Sequence, residues 1–182
     1  MVIVMKLFIG SSSRDEIDNK YKEACKSFLE VVFKNDNDLV FGADYHSIMG
    51  ISYDTAKKYN SKVIGITPIN FKDDIGDFKY DELVFTNNIS ERTYKVIEMC
   101  DALIFMPGGI GSMYEFFSAL EFIRSGEFDK PIVIFNYDNY YDNLIKMLEK
   151  MYKEKFASNK LYYYICNNAS DALEYINNYY IK

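Results

Sequence analysis

The 182-residue sequence has little of what most metal centres and disulfide-bonded folds are built from. It contains one histidine, His46, and three widely separated cysteines, Cys25, Cys100 and Cys166, with no CxxC pair. One histidine and scattered cysteines do not match the usual zinc-binding patterns. Three cysteines without framework spacing do not indicate a disulfide scaffold either. The sequence therefore predicts no metal site and no structural disulfides.

The sequence also lacks an excess of positive charge and a long apolar run. Its formal net charge of -6 at pH 7 argues against a general nucleic-acid-binding surface. The apolar run over residues 1–9 is too short to span a membrane, and Lys6 interrupts it. This run has neither the charged start nor the cleavage site of a signal peptide. We expect a cytoplasmic protein that binds neither nucleic acid nor a membrane.

Apolar, strand-like runs alternate along the chain with helix-compatible segments. The predicted strands are Val2–Ile9, Asp38–Phe41, Lys62–Thr67, Glu82–Thr86, Asp101–Phe105, Lys130–Phe135 and Leu161–Cys166. Near-continuous apolar strands alternating with helices are typical of an α/β fold, a doubly wound, Rossmann-like parallel sheet with helices on both faces. Because the sequence shows no repeat or linker, we expect one nucleotide-binding α/β domain over residues 1–182.

Polar residues before the helical segments predict where several helices begin. Ser13 or Asp15 is predicted to cap the first helix, Ser90 the helix before the Asp101–Phe105 strand, and Ser170 the last helix. The polar stretch over residues 70–80 is predicted to be an irregular loop.

Three turns rich in small residues follow predicted strands. They are Gly10–Ser13, Gly42–Ser47 and Gly108–Ser112. In doubly wound sheets ligands bind outside the carboxyl ends of the strands, so we expect these turns to line one crevice. Asp44 is the only acid in the second turn, where it could contact a ribose or cap a helix. His46 is interpreted as a solvated or capping residue rather than a catalyst.

The third turn joins an apolar strand to a helix, a geometry that directs backbone N–H groups at an anion. It is not a P-loop, because no lysine follows Gly111, and it lacks the third glycine of a dinucleotide fingerprint. We predict that it holds a phosphate and that Glu115 acts chemically beside it. A tight turn without a ligand, and a glutamate placed by the helix dipole, remain the alternatives. The predicted phosphate-binding residues are Gly108, Gly109, Gly111 and Ser112.

Pro107-Gly-Gly-Ile-Gly-Ser-Met-Tyr-Glu115 resembles the P-G-G-x-G-T-x-x-E signature of the LOG family. These are cytokinin riboside 5′-monophosphate phosphoribohydrolases, long described as lysine decarboxylases. The family's E-R-K…S-D-A segment is similar to Glu91-Arg-Thr93 and Cys100-Asp-Ala102. The resemblance extends to four further segments: Gly10-Ser-Ser12, Ile48-Met-Gly50, Gly126-Glu-Phe-Asp-Lys-Pro-Ile132 and Asn136-Tyr-Asp-Asn-Tyr-Tyr-Asp-Asn-Leu144.

The resemblance implies hydrolysis of the N-glycosidic bond of nucleoside 5′-monophosphates to free base and ribose 5-phosphate, without a metal or redox cofactor. It implies that Glu115 stabilises an oxocarbenium-like transition state. Arg92 would orient the nucleotide or the leaving base, or pair with Glu115. It also implies a homodimer or higher homo-oligomer with sites near the subunit interface. The implied phosphate- and substrate-binding residues outside the glycine turn are Ser11, Ser12, Asp44 and Met49.

The second turn departs from the family pattern G-G-G-x-x-G-x-M-G. It reads Gly42-Ala-Asp-Tyr-His-Ser-Ile-Met-Gly50, so side chains at positions 43, 44 and 47 are expected to crowd a ligand. Two other functions stay open. One is a non-catalytic nucleotide- or phosphate-binding protein, and the other is a deoxyribosyltransferase-like enzyme acting on unphosphorylated nucleosides. Lysine decarboxylation is not expected, because a pyridoxal phosphate enzyme needs a Schiff-base lysine.

Overall fold

The computed structural model describes residues 4–158 and 162–181. Val2, Ile3 and Leu161, which belong to predicted strands, lie outside the described residues. The strands are β1 (Lys6–Gly10), β2 (Asp38–Phe41), β3 (Val63–Pro68), β4 (Glu82–Thr86), β5 (Ala102–Phe105), β6 (Ile132–Phe135) and β7 (Tyr164–Cys166). The helices are α1 (Asn19–Lys34), α2 (Ser47–Lys58), α3 (Ile89–Met99), α4 (Ile110–Ser125), α5 (Asp142–Lys153) and α6 (Ala169–Tyr179).

The seven strands form one sheet in the order β4-β3-β2-β1-β5-β6-β7, and every neighbouring pair is parallel. The predicted doubly wound fold is therefore confirmed. The strand order reverses between β1 and β5, and this switch point opens a crevice at the carboxyl edge of the sheet.

Side chains of alternating orientation along each strand divide the core into two layers. Leu7 and Ile9 pack with α1, α2 and α6 on one face, whereas Phe8 packs with α3, α4 and α5 on the other. Both faces are covered, which explains why the central strands are apolar at consecutive positions. Among the described helices, none has the length and apolar character needed to cross a bilayer.

The three predicted helix caps are wrong. The capping side chains are those of Asp18, Asn88 and Asn168, each of which accepts a hydrogen bond from a backbone N–H in the first turn. Asp, Asn and Ser stabilise a helix start about equally, so local preference alone does not choose among neighbouring polar residues. The expected irregular loop is wrong over its first part as well, because Ile69–Ile75 forms a short 3-10 segment.

Candidate active site

A cleft of about 510 Å³ opens over the switch point, and the three small-residue turns meet there as the strand pattern predicts. It extends from the N-terminus of α4, past β1 and β2, to the segment that follows β3. Its lining residues are Ser11, Ser12, Ser13, Arg14, Gly42, Ala43, Asp44, Met49, Thr67, Phe71, Asp74, Ile89, Arg92, Gly109, Ile110, Gly111, Ser112 and Glu115.

The N-terminus of α4 forms one end of the cleft. Gly109 is the N-cap and has no side chain to bond the first-turn N–H groups, which no carbonyl within the helix can reach. These amides therefore form an electropositive end suited to an anion. Gly108 is different, because it is buried and does not line the cleft. A Cβ at Gly108 would lie 2.2 Å from Ser112 Oγ, so this glycine lets the turn close over Ser112.

The serines after β1 link this end of the cleft to the neighbouring turn. The Ser112 hydroxyl donates to the Ser11 carbonyl at 3.2 Å, and Ser12 Oγ accepts from the N–H of Arg14 at 3.0 Å. Ser11 Oγ is buried and has no hydrogen-bond partner among the described residues. An unpaired buried hydroxyl costs free energy and calls for an explanation such as a ligand. The Ser11 hydroxyl is thus buried and free to bind a ligand.

A largely buried ion pair joins α3 and α4 at the cleft. Arg92 Nη2 donates to Glu115 Oε1 at 2.5 Å, and the two side chains are 14% and 3% exposed. Burial raises the pKa of Glu115 above its ordinary value, and the adjacent guanidinium partly offsets that rise. Arg92 Nε is also buried and without a partner among the described residues. The pair therefore offers a carboxylate and an unsatisfied guanidinium donor within one desolvated site.

Gly42 makes room for this pair. A Cβ at this position would lie 3.3 Å from Arg92 Nη1 and 3.6 Å from the terminal methyl of Met49. The missing side chain lets both residues reach the cleft at the end of β2. Of the three glycines that open the family's second turn, this chain keeps the one against which the arginine packs.

In the remaining part of the second turn, two residues other than glycine adopt the positive φ angles that favour glycine. Ala43 and Ser47 have positive φ angles of 59° and 50°, a region that costs a residue with a Cβ about 1–2 kcal/mol. Both positions are glycine in the family pattern. Ala43 and Asp44 line the cleft, whereas Ser47 does not. The expected crowding therefore applies to the first two residues and not to Ser47.

Asp44 is held in a fixed orientation by His46. Its Oδ1 accepts from the His46 backbone N–H and contacts His46 Nδ1, each at 2.8 Å. The carboxylate raises the pKa of His46, and the Tyr45 ring packs on the imidazole with a centroid separation of 3.9 Å. His46 is the N-cap residue of α2 without a side-chain cap bond, and it does not line the cleft. Asp44 consequently presents one constrained carboxylate to the cleft.

Several residues that line the cleft were not predicted from the sequence. Arg14, Thr67, Phe71 and Asp74 all line the cleft. A signal was present for the last three. Thr67 lies at the carboxyl end of β3, Phe71 and Asp74 follow that strand, and the carboxyl ends of parallel strands share one edge of the sheet. No group of three or more His, Cys, Asp or Glu side chains within residues 4–158 and 162–181 is arranged to hold a metal ion.

The chain is similar to known proteins over most of its length. The model of the family described as "Possible lysine decarboxylase" matches residues 49–176. Cytokinin riboside 5′-monophosphate phosphoribohydrolase LOG5 of Arabidopsis thaliana is 26% identical over 151 residues, 82% of this chain and 65% of that protein. The probable phosphoribohydrolase LOGL6 of Oryza sativa subsp. japonica is 26% identical over 153 residues, 84% of this chain and 60% of that protein. The chain thus spans less than two thirds of the length of both relatives.

The fold also occurs among solved structures. The molybdenum cofactor binding protein from the phototrophic bacterium Rippkaea orientalis superposes with a TM-score of 0.73. The match covers 98% of each chain at 17% sequence identity. At this identity the likeness concerns the fold alone.

Proposed function

The chain belongs to the LOG family, whose model is described as possible lysine decarboxylase, and we propose that it hydrolyses the N-glycosidic bond of nucleoside 5′-monophosphates. The products are free base and ribose 5-phosphate. The observation that carries this proposal is the buried Arg92–Glu115 pair at 2.5 Å beside the first turn of α4. It supplies a carboxylate for a cationic transition state within reach of an anion-binding helix end.

The N-terminus of α4 would hold the 5′-phosphate. Gly109, Gly111 and Ser112 contribute first-turn amides, since a helix end with free N–H groups favours an anion. The unpaired hydroxyl of Ser11 is suited to donate to a phosphate oxygen. Arg14 adds a positive charge to the same cleft. Gly108 contributes indirectly, by allowing the turn to close over Ser112.

The order of the strands supports one orientation of the nucleotide in the cleft. Parallel strands are about 4.8 Å apart, so β3 lies roughly 14 Å from β5. With the phosphate after β5, the Arg92–Glu115 pair lies near the middle, because Arg92 packs against Gly42 at the end of β2. The base would extend toward Phe71 and Asp74. Met49 lies beside Arg92 along this path, Asp44 would accept from a ribose hydroxyl, and Ser12 shapes the β1 turn.

The arrangement supports cleavage through an oxocarbenium-like transition state. The C1′–N bond breaks with its electron pair leaving on the base nitrogen, and positive charge develops on the ribose. The Glu115 carboxylate stabilises that charge and orients a water molecule. The water oxygen bonds to C1′, and the base takes up the proton that the water releases. Arg92 orients Glu115 and offers its unpaired Nε to the substrate.

Chromatography of bases released from nucleotides tests this function. Purified protein is incubated with AMP, GMP, CMP and UMP and with the matching nucleosides. We expect release of base from at least one monophosphate, and slower release from its nucleoside because the phosphate contacts are lost. Nucleotide binding without release from any monophosphate would indicate the non-catalytic alternative. Equal rates with nucleosides would favour the deoxyribosyltransferase-like alternative.

An exposed apolar stripe on α4 supports a homodimer. Ile110, Tyr114 and Phe117 occur at i, i+4 and i+7, so they share one helix face, and all three are exposed. Ile110 is 91% exposed at the rim of the cleft, where Ile89 of α3 is exposed as well. A second copy covering this stripe would remove the apolar surface from water and place the two clefts near the interface. We infer a homodimer, or a higher homo-oligomer built on it, that uses this face.

Sedimentation velocity distinguishes this dimer from a monomer. Phe117→Glu adds a charge to the stripe and is expected to convert the dimer to a monomer, because an unpaired charge in an apolar interface is costly. Met147→Glu is the matched control, because Met147 is exposed on α5 outside the stripe. A monomeric wild type, or a Phe117→Glu variant that stays dimeric, would contradict this interface.

Two further inferences concern the cellular location and the domain organisation. Cys25, Cys100 and Cys166 are free and buried, as expected in a compartment that keeps thiols reduced, and we infer a cytoplasmic location. All seven described strands belong to one sheet. We therefore infer that residues 1–182 act as one nucleotide-binding domain.

A further inference from the structure

Two adjacent tyrosines after β6 bind the carbonyl groups of the glycine turn. The Tyr140 hydroxyl donates to the Gly108 carbonyl at 2.8 Å, and the Tyr141 hydroxyl donates to the Met106 carbonyl at 2.6 Å. Burial raises the pKa of Tyr141, so its hydroxyl remains a proton donor. Residues 136–144, which resemble a segment of the LOG family, thus contact the proposed phosphate turn directly. The tyrosine side chains of this segment bond to the backbone of the turn.

Peptide geometry relates the Tyr140 contact to the cleft. The C=O of Gly108 and the N–H of Gly109 belong to one trans peptide unit, so they point in opposite directions. A Gly108 carbonyl turned toward Tyr140 therefore turns the Gly109 N–H away from it. Gly109 lines the cleft, whereas Gly108 is buried and does not line it. The hydrogen bond from Tyr140 thus favours the peptide orientation in which the Gly109 N–H points away from Tyr140.

A Gly–Gly peptide needs such a restraint. Neither Gly108 nor Gly109 has a side chain to limit its backbone angles, and no heavy atom lies within 4 Å of a Cβ placed on Gly109. Rotation of this peptide unit would point the carbonyl oxygen of Gly108 at the phosphate and repel it. Gly109 is also the N-cap residue, and it makes no side-chain cap bond that could oppose the rotation.

Tyr140 itself packs against two other tyrosine rings. Its ring packs edge-to-face on Tyr141 at 4.8 Å and on Tyr21 of α1 at 5.5 Å. The backbone of the segment is fixed as well, because the Tyr141 N–H donates to Asn136 Oδ1 at 2.7 Å. The hydroxyl is therefore presented to Gly108 by a supported side chain.

We propose that Tyr140 is a positioning residue whose hydrogen bond to Gly108 keeps the Gly109 N–H directed at the phosphate group of the ligand. The identity of that ligand as a nucleotide rests on the proposed function, whereas the effect on phosphate binding does not. Tyr141 restrains the residue before the turn through the Met106 carbonyl. Specificity for a phosphorylated ligand would then depend on a residue 32 positions from the glycine it binds.

Calorimetric binding of ribose 5-phosphate to Tyr140→Phe tests the proposal, because this change removes only the hydroxyl. A lost hydrogen bond of about 0.5–1.5 kcal/mol predicts affinity about two- to thirteenfold weaker than wild type. Binding of an unphosphorylated nucleoside is expected to stay unchanged. If the protein turns over nucleotides, KM should rise by the same factor with kcat nearly constant. Tyr21→Phe is the control, because it keeps the ring contact and lies outside the turn.

The outcomes separate the two proposals. Unchanged ribose 5-phosphate affinity in Tyr140→Phe would overturn the positioning role, as would equal weakening of phosphorylated and unphosphorylated ligands. Wild-type protein that binds ribose 5-phosphate but releases no base would contradict the proposed hydrolysis. The tyrosine inference would still stand in that case if Tyr140→Phe weakened phosphate binding selectively.

Discussion

Replacement of Glu115 by glutamine is expected to lower base release by about 10²–10⁴-fold, the usual effect of losing a catalytic carboxylate or charge-stabilising group. Glutamine keeps the size of the side chain and can still accept from Arg92, but it offers no negative charge to the developing oxocarbenium ion. The phosphate contacts lie on other residues, so binding of ribose 5-phosphate should remain close to wild type. Single-turnover base release and calorimetry measure the two quantities separately.

The same substitution is expected to change how stability depends on pH. Burial raises the pKa of Glu115 in the folded protein above its ordinary value of 4.5, so the folded state binds this proton more tightly than the unfolded chain. The contribution of Glu115 to the free energy of unfolding therefore decreases as pH rises from about 4.5 through the folded-state pKa. In Glu115→Gln this contribution to the pH dependence disappears. Urea unfolding of both proteins across that range measures it.

Glu121→Gln is the matched control for both effects. Glu121 lies on the same helix and also pairs with an arginine, Arg124, but it is exposed, and that pairing lowers its pKa. Removing its charge should leave base release unchanged, and the loss of stability as pH rises above about 4.5 should remain as in the wild type. Wild-type rates in Glu115→Gln, or equal losses in the two variants, would exclude the catalytic role of Glu115. For the wild-type enzyme, kcat/KM should fall on the acid side with an apparent pKa above 4.5.

Gly50→Ala is expected to destabilise the fold by about 3 kcal/mol, at the upper end of the usual cost of inserting a methyl group into a packed site. A Cβ at Gly50 would lie 2.2 Å from the Tyr45 carbonyl oxygen and 3.0 Å from its carbon. Both are backbone atoms, so rotation of a side chain cannot relieve the contact. Either the start of α2 or the turn bearing Asp44 must shift. Urea unfolding gives the loss.

Gly111→Ala is the control for the stability effect. Gly111 lies in the first turn of α4, and a Cβ there meets no heavy atom within 4 Å. Its stability should be unchanged or should rise by up to about 1 kcal/mol, because alanine favours a helix over glycine. Similar stabilities for Gly50→Ala and Gly111→Ala would show that the contact at Tyr45 is relieved without cost.

Local sequence patterns were sufficient to predict most of the fold and one part of the candidate site, the glycine turn with Glu115. Alternating apolar runs and helices predicted the parallel sheet, because burial on both faces leaves a direct mark on composition. The glycine turn and Glu115 were recognisable because strand, turn and helix are consecutive in the chain. The sequence did not identify the capping residues Asp18, Asn88 and Asn168, because several polar residues near each helix start can make the same hydrogen bond.

The contacts that give the site its chemistry are not local. Arg92 and Glu115 are 23 residues apart on different helices, and from the sequence their pairing was implied only by family resemblance. The burial that raises the pKa of Glu115 depends on how α3 and α4 pack on the sheet. Tyr140 is 32 residues from Gly108, and no spacing rule connects them.

The sequence by itself determined the order of strands and helices along the chain, the glycine turn proposed to bind an anion and the carboxylate beside it, because each depends on neighbouring residues and on the periodicity of burial. Only the tertiary structure decided which side chains meet across the cleft. It brought Arg92 onto Glu115, placed Asp44 and Asp74 in the same cleft, and joined Tyr140 to Gly108. Such contacts arise where strands distant in the chain end side by side, and the free energy of packing rather than local preference determines them.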